Sequence, residues 1–293
     1  MTKFGKFAPA LIWRAFFLIG LVALGEAIAA VPLSTPPELA QIRLPDAAEI
    51  ARILLQFRQT GVVGDYYLEF DLRALPRRGE ERVYDGKMWG SRNAEGSITR
   101  VLLSEGSGAE QRLLVQNGGQ ARAWRVIDQG VVAMDAAELL APIIQGTNLT
   151  AFDLQMPFLF WPSVSLEKLT RLRGRPAHVF VFRPPAVFAS KNPGVGAVRA
   201  YLDAQYNAAT QIETINPNGS VTKTLSLLDL KKVGAQWIPK SFEVRDEITR
   251  DKTRLVVTAA ALGLALPARV FTPAGLIDPV SAPPLERIVK ISQ

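Results

Sequence analysis

The sequence offers few residues that could do covalent chemistry. His178 is the only histidine, and there is no cysteine. In "PAHVFVF" this histidine alternates with Phe180 and Phe182 on one face of a predicted strand, which favours a core or rim position over a catalytic one. No nucleophile elbow, phosphate-binding loop, dinucleotide-binding loop or zinc-protease motif occurs. We therefore expect a protein that is not an enzyme and that holds no cofactor and no metal.

The charged residues also point away from nucleic acid. The formal charge is +7, but basic and acidic residues alternate along the chain instead of clustering. The densest basic run is "RLRGR", residues 171 to 175. It could bind an anion, but basic residues that flank a hairpin turn are the commoner explanation.

An apolar stretch is the most unusual feature. "DLQMPFLFWP", residues 153 to 162, places Met156, Phe158, Leu159, Phe160 and Trp161 around two prolines. Proline disfavours both a helix interior and a central strand. We predict a short helix that ends near Pro157, followed by an irregular apolar loop.

The amino terminus predicts export. Lys3, Lys6 and Arg14 precede the apolar run "AFFLIGLVALG", and small residues follow at Ala27 to Ala29. This is the arrangement of a secretory signal peptide. We assign residues 1–29 to a cleaved signal peptide, which predicts a periplasmic protein, and residues 30–44 to an irregular proline-rich segment. A retained membrane anchor is the alternative.

The elements that would position the apolar stretch follow from periodicity. Residues 46–60 have apolar side chains at helical spacing, and from Tyr66 to Leu75 the period changes to two. Phe70 and Leu72 then lie on the apolar face of the first strand, and Arg73 lies on the opposite face. Short turn sequences such as "NPNGS" separate further strands. The predicted strands are 66–75, 81–92, 97–104, 110–116, 120–128, 165–173, 176–183, 197–204, 208–215, 221–233, 236–246 and 252–261.

These elements predict a mainly β domain with a few helices, built on a highly curved or incompletely closed antiparallel barrel. The apolar face of such a sheet needs a cover. The helix at 46–60, a short helix at 135–144 and the 153–162 stretch can supply it. The enclosed space could be a ligand cavity under a lid or a solid core, and composition alone favours the solid core. Residues 184–196 are predicted to form a long loop.

The order of these parts resembles a known family. "DLQMPFLFWP" is followed by "LRGRPAHVFVFRPP", by "VGAQWIPK" at Val233 to Lys240 and by "FTPAGL" at Phe271 to Leu276. Each motif alone is weak, but together they resemble the periplasmic LolA-like lipoprotein-sorting proteins over residues 45–276. Residues 277–293 would be a carboxyl-terminal tail outside that domain.

The resemblance implies an unclosed antiparallel β-barrel with a helical lid and an apolar interior that receives acyl chains. The candidate lipid-binding residues are Met156, Phe158, Leu159, Phe160, Trp161, Phe70 and Leu72. Arg73 is the candidate for the cation that assists lipoprotein handling near the cavity mouth in this family.

The sequence thus predicts a monomeric periplasmic carrier of lipoprotein acyl chains or a related lipid. It would receive its cargo from an inner-membrane donor and deliver it to an outer-membrane acceptor. The alternative is a sensor or regulatory module on the same scaffold, similar to RseB, that binds a segment of a membrane protein.

Overall fold

A computed structural model describes residues 44–59, 61–104, 106, 108, 110–205 and 208–291. All of them belong to one compact unit, Leu39–Gln293. The predicted signal peptide, residues 1–29, and nearly all of the 30–44 segment lie outside the described residues.

The described residues contain three α-helices and fourteen strands. Five 3₁₀ helices lie between them, at Glu138–Leu140, Pro157–Phe160, Ala268–Phe271, Ala274–Ile277 and Leu285–Arg287. The α-helices are α1 Ala47–Gln59, α2 Ala151–Gln155 and α3 Ala186–Lys191. The strands are β1 Asp65–Leu75, β2 Arg82–Arg92, β3 Ser97–Ser104, β4 Gln111–Gln116, β5 Arg122–Ile127, β6 Gly130–Ala133, β7 Ser163–Leu172, β8 Arg175–Arg183, β9 Ala197–Asp203, β10 Ala209–Ile215, β11 Val221–Val233, β12 Gln236–Asp246, β13 Lys252–Leu264 and β14 Val289–Lys290.

One antiparallel sheet contains all these strands. Its order is β6-β5-β4-β3-β2-β1-β13-β12-β11-β10-β9-β8-β7, and β14 adds to β13. Only the β1–β13 contact departs from chain order, because the first long strand pairs with the last long strand. The sheet does not close, since β6 and β7 are its two edges. The predicted unclosed, mainly β fold is confirmed.

The alternation predicted for β1 separates two apolar regions. Phe70 and Leu72 are buried in a cluster on what we call the inner face, to which β1–β5 and β11–β13 contribute. The ring of Phe70 lies over Gly86 of β2, where an added Cβ would be 2.1 Å from the ring. Glycine at this position therefore lets the ring lie flat against the neighbouring strand.

The outer face of β1 and β2 is covered by the carboxyl-terminal segment, residues 267–291. Tyr67 and Trp89 are fully buried there, with ring centroids 5.4 Å apart, next to Val270. Burial raises the pKa of Tyr67. The alternation of β1 places Tyr67 on the same face as Arg73, away from the predicted apolar face, and this distant segment buries it there.

Arg100 of β3 attaches this segment to the sheet. Its side chain is buried and donates to the carbonyl oxygens of Gly275 at 2.8 Å, Leu276 at 3.1 Å and Asp278 at 2.5 Å. Beyond residue 276 the chain continues to β14, and Ile291 is buried in the inner cluster. Residues 277–291, which were predicted to form a carboxyl-terminal tail outside the domain, are therefore packed against it.

Three further differences from the sequence prediction are local. Strands β6 and β14 were not predicted, because four and two residues are too short to show a period. The predicted loop 184–196 contains α3, whose Phe188 is buried. Pro185 caps this helix, and two turns between prolines are easily mistaken for a loop.

Candidate functional site

The site is formed by the segment that joins the two free edges of the sheet. We call residues 134–162, between β6 and β7, the lid. It contains α2 and the 3₁₀ helices Glu138–Leu140 and Pro157–Phe160. Met156 joins α2 to the second 3₁₀ helix in the left-handed conformation, with φ 50° and ψ 52°. Pro157 then takes a first helical position, where its missing N–H costs nothing. The apolar stretch is thus two short helical turns.

A capping box fixes the start of α2. The Thr150 hydroxyl accepts from the Asp153 backbone N–H at 3.2 Å, and the Asp153 carboxylate accepts from the Thr150 backbone N–H at 2.9 Å. These reciprocal bonds satisfy two amide donors of the first helical turn. They also hold the Asp153 carboxylate in a fixed direction, toward β11.

Lys223 of β11 meets that carboxylate under the lid. Its Nζ donates to Asp153 Oδ2 at 2.5 Å, and the two side chains are only 19% and 8% exposed. A buried carboxylate of this kind is costly unless it is paired and hydrogen-bonded. The ion pair therefore links the lid to the inner face of the sheet.

Arg58 of α1 makes a second polar link. Its Nε donates to the carbonyl oxygen of Leu159 at 2.7 Å, and its guanidinium carbon lies 5.3 Å from the centroid of the Phe160 ring. This is the geometry of a cation–π contact. Burial lowers the pKa of Arg58. The side-chain amide of Gln155 adds a third link, since it donates to the carbonyl oxygen of Gln116 in β4 at 2.9 Å.

Aromatic rings fill the space between the lid and the sheet. Phe158 lies 5.4 Å from Phe182 of β8, and Trp161 lies 5.1 Å from Phe188 of α3, both measured between ring centroids. Phe152 is within 6.1 Å of Phe158, Trp161 and Phe188. We call these five residues the aromatic cluster. It belongs to a second apolar region with Leu54 and Phe57 of α1 and the inner faces of β8–β10.

The remaining space is small. A cavity of about 10 Å³ lies between the Asp153–Lys223 pair and Phe158, against Ile212 and Leu225. This is room for about one water molecule. Ligand pockets are typically ~300–1,000 Å³. In the closed arrangement the lid's own rings occupy the inner face, so a ligand could enter only if they moved.

The candidate residues fall into three groups in the structure. Phe158, Leu159 and Trp161 are buried in the second apolar region, while Met156 and Phe160 are half-buried beside it. Phe70 and Leu72 lie in the inner cluster beneath the first half of the lid. The structure therefore brings the lid residues together and places the β1 residues in the adjoining cluster.

Arg73 forms the third group by itself, apart from the lid residues and from Phe70 and Leu72. It is on the outer face of β1, where its guanidinium is 3.4 Å from the Asp71 carboxylate and 3.7 Å from that of Glu81. The alternation of β1 already pointed to this face. The cation under the lid is Lys223, which sequence reasoning missed. The spacing Thr150–x–x–Asp153 could have revealed the capping box, but nothing local connects Asp153 with a lysine 70 residues later.

A larger groove of about 360 Å³ lies on the outer face of β10–β12 and is unsuited to an acyl chain. Its lining includes Glu213, Glu243 and Glu247, and each carboxylate already accepts a hydrogen bond from an arginine, at 2.9, 2.6 and 2.6 Å. We therefore place the candidate site under the lid in spite of the smaller volume there.

The described residues contain neither a metal-binding cluster nor a membrane-spanning helix. They contain no group of three or more histidine, cysteine, aspartate or glutamate side chains arranged to hold a metal ion. None of their helices is both long and apolar enough to span a bilayer.

Comparison with solved structures identifies the fold. A provisionally named outer membrane lipoprotein-sorting protein domain from Vibrio parahaemolyticus matches 78% of this chain and 97% of its own, with a TM-score of 0.66 and 16% identity. A DUF1329 family protein from Desulfovibrio piger matches 77% and 96%, with a TM-score of 0.64 and 13% identity. A LolA superfamily protein from Nitrosomonas europaea matches 76% and 96%, with a TM-score of 0.58 and 15% identity. The chain has a LolA-like fold.

The sequence comparisons add little to this. A family model described only as an uncharacterized protein matches residues 143–278, which include most of the lid and β7–β13. No curated protein matches the chain. At 13–16% identity, the structural matches establish the LolA-like fold and leave the ligand to be argued from the residues of this chain.

Proposed function

We propose that this protein is a periplasmic carrier that binds the acyl chains of a lipoprotein, or of a related lipid, between the lid and the inner face of the sheet. The observation behind the proposal is the aromatic cluster. Three of its rings come from a segment that joins the two free edges of the sheet, so this segment can move without breaking a strand pairing.

The free energy needed to open the lid is similar in size to the free energy gained by burying an acyl chain. Fully burying one large apolar side chain is worth about 1.5–3 kcal/mol, so exposing Phe152, Phe158, Leu159 and Trp161 would cost roughly 6–12 kcal/mol. Burying an acyl chain of about sixteen carbons at ~0.8 kcal/mol per CH₂ returns roughly 13 kcal/mol. Lid opening and chain binding would then nearly offset each other, as a carrier that must release its cargo requires.

The polar links favour the closed state without ligand. The Asp153–Lys223 pair and the Arg58 contacts hold the lid shut when no chain is present. Binding of an acyl chain would break these contacts, and the separated polar groups would then be hydrated by solvent. The donor and acceptor membranes would then compete with the carrier for the same chain, with no bond made or broken.

A photoactivatable fatty acid tests the proposal. The exported protein should bind it, and crosslinks should map to the lid and to the inner faces of β8–β11, around Phe158, Ile212 and Leu225. Native mass spectrometry of protein isolated without detergent should show bound lipid. Absence of binding, or crosslinks confined to the outer face around Trp89, would overturn the proposal.

The RseB-like alternative shares the LolA-like fold, so the fold does not separate the two functions. It predicts a stable complex with a periplasmic segment of a membrane protein, unaffected by substitutions under the lid. The filled, aromatic interior and its ion pair favour the carrier, because a module that binds only through its surface needs no polar links to a movable cover.

A further inference from the structure

The β11–β12 hairpin extends beyond its neighbour in the sheet. β11 and β12 pair from Lys223–Asp246 to Val233–Gln236, but β12 pairs with β13 only over Ser241–Arg245. Farther along, Ala259 and Ala260 of β13 pair with β14. We call residues 230–239 the hairpin tip. It is joined to the sheet by β11–β12 pairing and by Val233 and Ile238, which are buried in the inner cluster.

The other face of the tip is apolar and exposed. Lys232 lies opposite Trp237, and Leu230 lies opposite Pro239, so these four residues share the face away from Val233 and Ile238. Trp237 is 64% exposed and Leu230 is 41% exposed. The other tryptophans in the described part of the chain are buried or half-buried. An exposed tryptophan beside exposed leucine marks a contact surface.

A neighbouring loop lies at the same end of the sheet, on the face of the tip that carries Gln236, Val233 and Ile238. The side-chain amide of Gln236 accepts from the Val63 backbone N–H at 2.8 Å and donates to the Val63 carbonyl oxygen at 3.1 Å. These two bonds fix the loop between α1 and β1 against the tip. The Val63 side chain is 73% exposed. The loop therefore presents a third apolar side chain at the same end of the sheet.

In the part of the chain that the structure describes, unpaired lysines lie beside these apolar residues, while the one neighbouring carboxylate, Asp229, is paired with Lys240 at 3.5 Å. Lys231 and Lys232 are exposed, and within the described residues no carboxylate lies in ion-pair distance of either. Arg173, in the turn between β7 and β8, donates to the carbonyl oxygen of Leu227 at 2.8 Å and so lies beside the hairpin. Tryptophan and lysine around a small apolar surface are typical of proteins that bind at an anionic lipid interface.

We propose that the hairpin tip, with Val63 and Arg173, docks the protein on a membrane surface that contains anionic phospholipids. The tip would place Trp237 at headgroup depth, with Lys232 on the same face, Lys231 on the opposite face beside Ile238, and Arg173 beside the hairpin, so that lipid phosphates would be met on both sides of the tip. A protein partner fits less well, because stable protein interfaces bury about 800 Å² on each side and this surface offers three separate apolar side chains. The inference goes beyond acyl-chain binding and does not depend on it.

Vesicle binding tests the proposal. The exported protein, with its amino terminus established by mass spectrometry, is sedimented with vesicles of phosphatidylcholine alone or mixed with phosphatidylglycerol. We expect binding to the anionic vesicles and its loss at high salt. Because the chain has no cysteine, a dye attached at Val63→Cys reports directly on entry of this loop into the lipid interface.

Two pairs of variants locate the surface. Lys232→Glu changes the charge by two units and should weaken binding about 25-fold, at roughly fivefold for each unit of charge. Trp237→Ala removes a large apolar side chain and should weaken binding about tenfold. Ile248→Ala, at an equally exposed position in the turn after β12, and Lys191→Glu, at the end of α3, are the matched controls and should bind like the unmodified protein. All four side chains are exposed, so folding should be unaffected.

Three results would overturn the proposal. The first is equal binding to neutral and anionic vesicles, which would instead indicate capture of lipid under the lid. The second is binding that Trp237→Ala and Lys232→Glu leave unchanged. The third is no vesicle binding, with a purified protein bound at the tip in its place. Each can occur whether or not the photoactivatable fatty acid binds, so the two proposals fail independently.

Discussion

Truncation of Phe158 is the sharpest test of the lid. Phe158 is 1% exposed, and its ring contacts Phe182 of β8 at 5.4 Å between centroids, together with Phe152 and Trp161. In an ordinary core, a Phe→Ala change costs about 3–5 kcal/mol of stability. If the lid can open, the ring contributes to the closed state alone. The loss of unfolding free energy is then limited to the free energy of lid opening, and because that is roughly 6–12 kcal/mol, the full loss of about 3–5 kcal/mol is still expected.

The same substitution should strengthen ligand binding. An acyl chain must displace the Phe158 ring, so Phe158→Ala weakens the ligand's competitor and leaves the ligand-bound state nearly unchanged. A loss of about 3 kcal/mol from the closed state corresponds to roughly a hundredfold gain in affinity. We expect a gain of ~10–100-fold, because the displaced ring keeps some contacts in the open state. Titration with a fluorescent fatty acid measures it.

Trp89→Ala is the matched control. Trp89 is equally buried, but it lies on the outer face under the carboxyl-terminal segment. It should lose the full ~3–5 kcal/mol in denaturant unfolding and leave the affinity for the fatty acid unchanged. The reasoning is refuted if neither Phe158→Ala nor the unmodified protein binds the probe, or if both bind it with the same affinity.

Three further predictions concern other contacts. Lys223→Met should leave the Asp153 carboxylate under the lid without its cation. We expect a loss of ~2–3 kcal/mol in the stability of the closed state, less than for a fully buried pair, and faster hydrogen exchange at residues 150–161. The control Lys231→Met should change neither quantity. Gly86→Ala should destabilise by about 1–3 kcal/mol, because its Cβ overlaps the Phe70 ring, whereas Gly119→Ala, with open space around it, should be neutral. Burial lowers the pKa of His178, so as the pH falls the unfolded chain takes up a proton before the folded protein does, and stability should fall below about pH 6.5. His178→Gln should remove this fall. A melting temperature of the unmodified protein that stays the same from pH 7.5 to 5.5 would count against the prediction.

Most of the strands could be predicted because their signals are local. Alternation in β1 and turns such as "NPNGS" depend on residues close in sequence, and the twelve predicted strands begin and end within two residues of the observed bounds at every end but one. β13 extends three residues farther, to Leu264. The period gives the face of each residue but not what covers that face, so it could not show that residues 267–291 bury Tyr67.

The contacts that hold the site could not be predicted in the same way. Asp153 meets Lys223 because β11 lies opposite the lid, and Arg58 meets Leu159 across 101 residues of chain. Such pairs follow from sheet order, above all from the pairing of β1 with β13, which no local pattern specifies. The aromatic stretch itself was found from composition, because prolines among rings conflict with both regular elements.

The position of the lid explains why a proline-interrupted segment suits it. A cover made from a sheet strand could not move without losing its ladder of hydrogen bonds. The lid joins β6 and β7, which are the edges left free when the sheet does not close, so its attachment to the sheet depends on side chains and a few isolated bonds. Met156 in the left-handed conformation costs about 1–2 kcal/mol relative to a relaxed residue. If opening also unwinds the junction at Met156, release of that cost would partly offset the loss of the Asp153–Lys223 pair.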